Sequence, residues 1–146
     1  MNIRVFSSVV VLIVSLAACS VKTGHNHSSE NTDSPVAKLM GEVMAVHDEV
    51  MPQMSKLYDL KKSLAEKTET LGDSAPDMEM RTKIEAAMQL LEKADESMMN
   101  WMRNFEDPGE SDVEKATAYL EKEKERVLEV QQAMNEGIQA AELLLQ

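Results

Sequence analysis

The chain has 146 residues, of which 43% are hydrophobic and only 3% aromatic, and its 26 acidic side chains outnumber 15 basic ones for a formal charge of -11. A single Cys excludes an internal disulfide and a Cys-based zinc site, and so acidic a surface excludes nucleic acid as a partner, whose binders need clustered Lys and Arg. With 5 Gly and 4 Pro the chain is too poor in turn residues for a β-sandwich or a Gly-rich nucleotide loop, and Ala, Met, Leu, Glu and Lys dominate it as they do helical bundles. One small domain is the most it can hold.

At the N-terminus, Arg4 supplies one positive charge and Val5 to Leu16 is a mostly apolar run, too short to span a bilayer as a mature helix. This is the build of a secretory signal, and it ends in Leu16-Ala17-Ala18-Cys19-Ser20. That ending resembles the lipobox of bacterial lipoproteins. The resemblance implies cleavage before Cys19, a diacylglyceryl group on its thiol and acylation of the new terminus. Two or three chains of the palmitate kind are enough for stable anchoring. Residues 1–18 are then a lipoprotein signal peptide and Cys19 the lipidation site. Loss of that peptide removes Arg4 and no acid, so the remainder is one unit more acidic than the -11 of the whole chain. A domain of that charge is held to the membrane by its lipid and not by its surface. Ser20, where an Asp would favour the inner membrane of enterobacteria, points to the outer membrane of the cell envelope, facing the periplasm.

Residues 19–34 comprise the lipidated Cys and a tether. The segment from Ser20 to Ser34 is polar, small-residue rich and without periodicity, a flexible linker reaching about 20 Å. Residues 35–146 carry helical periodicity throughout. Ser34 and Pro35 suit a helix start, and Val36, Val43, Val50, Leu57, Leu64 and Leu71 recur every seven positions. They predict one helix from Pro35 to Thr70, with Leu39, Val46 and Leu60 completing a coiled-coil-like seam. Pro52 removes a backbone hydrogen bond and crowds the carbonyl of Asp48, which predicts a kink between Asp48 and Pro52.

Ser74 and Asp77 have capping-box spacing and open a second helix. Its stripe is Ile84, Ala87, Met88, Leu91, Ala94, Met98, Trp101, Met102 and Phe105, and Asp107-Pro108-Gly109 ends it. Ser111 and Glu114 repeat the capping spacing before a third helix that runs nearly to Gln146. Its stripe is Val113, Ala116, Leu120, Val127, Val130, Met134, Ile138, Ala141 and Leu145. The intervening Glu121-Lys122-Glu123-Lys124-Glu125-Arg126 is charged on every side and reads as a stretch weakly covered by neighbours. Short connections predict an all-α fold, an elongated antiparallel three-helix bundle whose first and third helices run parallel. The first helix reaches roughly 50 Å and outruns the second, which leaves its end free to overhang or to pair in a homodimer.

Met40, Met44, His47, Met51 and Met54 fall within an arc of roughly 80° on the first helix. Thioether and imidazole donors suit Cu(I), and a Met three before and another four after His47 point the same way, so this stripe is the alternative, metal-binding reading, with copper as cofactor. The plainer reading is that unbranched Met fills the core of an aromatic-poor bundle, with His47 at its boundary beside an acid one turn away. A haem site lacks both the attachment motif and a fourth helix. His47-Asp48-Glu49 lacks a nucleophile at working spacing, which argues against an enzyme. Trp101 and Phe105 lie four apart on one face: buried they close the end of the core, exposed they mark a partner-binding site.

The segment from Leu39 to Met54, with His47-Asp48-Glu49-Val50-Met51-Pro52 at its centre, and the later Trp101-Met102 and Phe105 resemble a family of small uncharacterised bacterial lipoproteins, some of which carry the description viral A-type inclusion protein. The resemblance implies a coiled-coil-like helical architecture and no mechanism, and it makes His47 and Pro52 parts of a hallmark segment. The expectation is a membrane-anchored envelope lipoprotein that binds or scaffolds an envelope protein partner.

Overall fold

A computed structural model describes residues 34–146, and the expected signal peptide, Cys19 and the expected tether up to residue 33 lie outside the described residues. The described part is all-helical, with α1 at Pro35–Val50, α2 at Gln53–Glu69, α3 at Ala75–Asn104 and α4 at Val113–Leu145. No helix among the described residues is long and apolar enough to cross a membrane.

Ser34 opens α1 as the sequence suggests: its hydroxyl accepts the backbone N–H of Ala37 at 3.0 Å, and Pro35 occupies the first turn where no N–H is needed. The expected distortion at Pro52 divides the helix in two, although Met51 and Pro52 both keep right-handed helical dihedrals. The Met51 N–H still reaches His47 O at 2.8 Å, but Pro52 has no N–H to give, and Met54 N–H turns back to Met51 O at 3.2 Å. The seven-residue row passes through this joint in phase. Val36, Val43, Val50, Leu57 and Leu64 are all buried on one side, and Leu71 is half-buried. Helices α1 and α2 are therefore two halves of one arm.

The Ser74 hydroxyl accepts the Asp77 N–H at 3.3 Å, the half of a capping box that its spacing predicts, and donates to the Asp77 carboxylate at 2.6 Å. Arg81 then locks the α2–α3 connection by donating to the carbonyls of Thr68 and Leu71 at 3.4 and 3.3 Å. Helix α3 stops at Asn104, where Phe105 turns extended, ahead of the Asp107-Pro108-Gly109 turn; Gly109 takes a φ of +61°, a conformation that glycine adopts freely. The cap of α4 is Asp112 and not Ser111. The Asp112 carboxylate accepts the Lys115 N–H at 3.2 Å and pairs with its ammonium at 2.7 Å, a double role no serine hydroxyl can fill, and both contacts hold the Asp112 carboxyl below its ordinary range.

Helix α4 packs against all three other helices. Ion pairs give the directions. Glu42 with Lys124 at 2.7 Å and Lys56 with Glu142 at 2.6 Å set the α1–α2 arm parallel to α4, and Lys61 with Asp95 at 2.8 Å, taken with Arg81 on the Thr68 carbonyl, sets α3 antiparallel to that arm. The hydrogen bond from Lys124 holds Glu42 below the usual glutamate range. The first turns of α1 do not overhang: Val36 is only 3% exposed and the Ser34 hydroxyl donates to Glu110 at 2.7 Å, because α4 and the loop before it are long enough to cover them.

Helices α3 and α4 approach closely at Gly137, where an added Cβ meets backbone atoms of Leu90 and Leu91 at 3.2–3.3 Å. Gly41, also mid-helix, has nothing within 4 Å of such a Cβ. Gly41→Ala is therefore expected to stabilise the fold by about 0.5–1 kcal/mol through helix propensity. Gly137→Ala has the same gain but forces two backbones apart, for a net loss of about 1 kcal/mol. Thermal melts of the two variants check this, and a stabilised Gly137→Ala contradicts the close approach.

Candidate functional site

The buried residues of α4 follow an alternating spacing of three and four: Ala116, Leu120, Glu123, Val127, Val130, Met134. Every member is apolar except Glu123, which is 2% exposed. The charged run from Glu121 to Arg126 is thus not weakly covered throughout. Its central carboxylate occupies a core slot of the seam, while its neighbours on either side stay at the surface or its edge. The Arg126 guanidinium donates to Glu123 Oε1 at 2.5 Å from one turn further along, with its own side chain 62% exposed. Among the described residues nothing donates to Oε2.

Glu123 lies in a cleft of about 630 Å³ between α3 and α4. Helix α3 contributes Lys93, Ser97, Asn100, Trp101 and Asn104 to its walls, and α4 adds Arg126, Glu129, Val130 and Ala133. Trp101 is 6% exposed, and its indole Nε1 is buried without a hydrogen-bond partner. A buried donor left unpaired costs about 1–3 kcal/mol. The indole is fixed in place by its neighbours: its ring centroid lies 5.5 Å from that of His47 and 5.0 Å from that of Phe105, and Phe105 continues to Tyr119 at 6.2 Å. The Tyr119 hydroxyl accepts the Glu106 N–H at 2.9 Å, which pins the chain leaving α3 to α4.

Of the residues the sequence singles out, Trp101 is in the core and Phe105 is half-buried beside it, so the indole offers no exposed docking face. Met40, Met44 and Met54 are half-buried and packed against the apolar core, and Met51 is 37% exposed at the α1–α2 joint. His47 Nδ1 lies 2.9 Å from Asp48 Oδ1, so its acidic neighbour is the adjacent residue and not one a turn away. Among the described residues no group of three or more His, Cys, Asp and Glu is placed to hold a metal ion. The structure joins His47 to Trp101, and Trp101 through the cleft to Glu123 and Arg126, a grouping of three helices that no linear spacing reveals.

Compared with protein-family models, with curated proteins and with solved structures, the chain matches none.

A carboxylate in a core slot is costly even when paired, and an apolar residue of similar volume avoids that cost. Glu123→Leu is expected to raise stability by about 1–2 kcal/mol. Arg126→Met strands the buried carboxylate and is expected to lower stability by about 1 kcal/mol, a value discounted because the guanidinium is largely exposed. Denaturant melts read both changes, and a destabilised Glu123→Leu would mean that the carboxylate is part of what holds the fold.

Proposed function

We propose that this chain is a lipid-anchored protein of the cell envelope that acts without catalysis, as a helical binding or scaffolding module. The observation that carries the reading is the Leu16-Ala17-Ala18-Cys19 ending of the apolar run that follows Arg4. Lipid on Cys19 fastens the chain to the membrane, residues 20–33 and Ser34 make the tether, and the helices that begin at Pro35 stand off the surface. The outer membrane, facing the periplasm, is the location that Ser20 favours. Resemblance of the Leu39 to Met54 segment to small bacterial lipoproteins supports the same assignment. The partner is an envelope protein, or a second copy of the chain. What the folded part offers such a role is rigidity along α4 and a cleft whose side chains supply charge and hydrogen bonds.

Expression of the full-length chain in a bacterium fed an alkyne-bearing fatty acid tests the anchor. The wild-type chain is expected to take up the label, sediment with membranes and run at the mass of a processed protein. Cys19→Ala is expected to lose the label and to retain the unprocessed mass. Label persisting in Cys19→Ala, or none in the wild type, overturns the lipoprotein reading.

A further inference from the structure

The cleft between α3 and α4 is lined by Glu123, whose Oε1 is taken by Arg126 while no side chain among the described residues donates to Oε2, and by Trp101, whose buried N–H has no partner. Its remaining charges come in both signs, with Lys93 and Arg126 set against Glu123 and Glu129. A simple anion entering this space meets two carboxylates. A simple cation meets an ammonium and a guanidinium. A molecule that carries both signs on neighbouring atoms avoids both repulsions and can replace water at each group at once. The volume, about 630 Å³, lies within the range of small-molecule sites, and Val130 and Ala133 give one wall an apolar surface.

We propose that this cleft binds a small zwitterion of the α-amino-acid class. The ligand ammonium sits on Glu123 Oε2, and the ligand carboxylate sits on Arg126, whose planar guanidinium has N–H donors beyond the one spent on Oε1. The ligand side chain lies toward Val130 and Ala133, with the Trp101 ring as part of the facing wall. This explains why a core slot of α4 carries a carboxylate at all: with ligand bound, the buried charge has two cationic partners in place of one. The proposal rests on the binding half of the proposed function and not on the lipid anchor.

The test uses the full-length chain in mild detergent, titrated with each of the common L-α-amino acids in turn and followed by calorimetry and by the emission of Trp101, the chain's single tryptophan. At least one amino acid is expected to bind one-to-one and shift that emission. Its two half-molecules, the amine without the carboxylate and the acid without the ammonium, are expected to bind at least about tenfold more weakly. Glu123→Gln and Arg126→Gln should each weaken binding by about tenfold or more with the helical melt retained. If Glu123→Gln fails to fold, the exposed Arg126→Gln carries the comparison. No binding by any common amino acid at millimolar concentration overturns the proposal and leaves the cleft filled by water. Equal binding of a half-molecule, or undiminished binding by a folded Arg126→Gln, overturns it as well. Fatty-acid labelling at Cys19 is read separately, so failure here is distinguishable from failure of the lipoprotein reading.

Discussion

Everything in the folded part packs on α4, and α4 receives its neighbours through one seam whose members are spaced alternately by three and four residues. That spacing keeps a single stripe facing inward along nearly the whole helix. Helix α3 descends antiparallel along one side, close enough at Gly137 that a methyl group would press on its backbone, and the α1–α2 arm runs parallel along the other. The arm keeps its seven-residue phase across the Pro52 joint because Met51 and Pro52 stay in the right-handed helical region, so the lost hydrogen bond does not rotate the buried row away from α4. Loss of the α4 seam would leave α1 with little to pack on, since it takes its principal contacts from that helix.

The seam has one member that does not belong by hydrophobicity. Glu123 lies between Leu120 and Val127 with 2% of its surface exposed, held by a single guanidinium one turn away. Paired charges in such a position rarely add stability over an apolar residue, so their presence calls for another explanation. The neighbouring indole adds to that: Trp101 is locked by His47 and Phe105 with its N–H unpaired. A buried carboxylate and an unpaired indole N–H on facing helices of one cleft are the two features from which the proposed ligand site is argued. The same two groups are the least favourable features of an otherwise apolar interior.

Much of the fold is legible in the residues taken in order. The seven-residue row from Val36 to Leu64, the Ser34 and Ser74 caps, the break at Pro52 and the stop before Asp107-Pro108-Gly109 are local signals, and the helices obey them. Where local signals compete the outcome is less legible: Ser111 has capping-box spacing, but Asp112 caps α4, because a carboxylate binds both the amide and the ammonium of Lys115. Glu123 is hidden for another reason. Its charged neighbours make the run from Glu121 to Arg126 look solvated, although the step from Leu120 by three and then by four to Val127 already marks its slot. The meeting of His47 with Trp101 depends on how α1 and α3 are brought together, which no spacing within either helix encodes. The methionines that look most like a ligand stripe turn out to flank the core.

Residue-resolved hydrogen–deuterium exchange on the full-length chain tests most directly whether α4 is the spine of the structure. The slowest amides are predicted within Leu120 to Met134, with exchange accelerating toward both ends of α1 and fastest within the arm at the Met51-Pro52-Gln53 joint. Protection at Leu120 to Met134 no greater than in α1 would contradict the account, because the helix on which all the others pack would then open before they do.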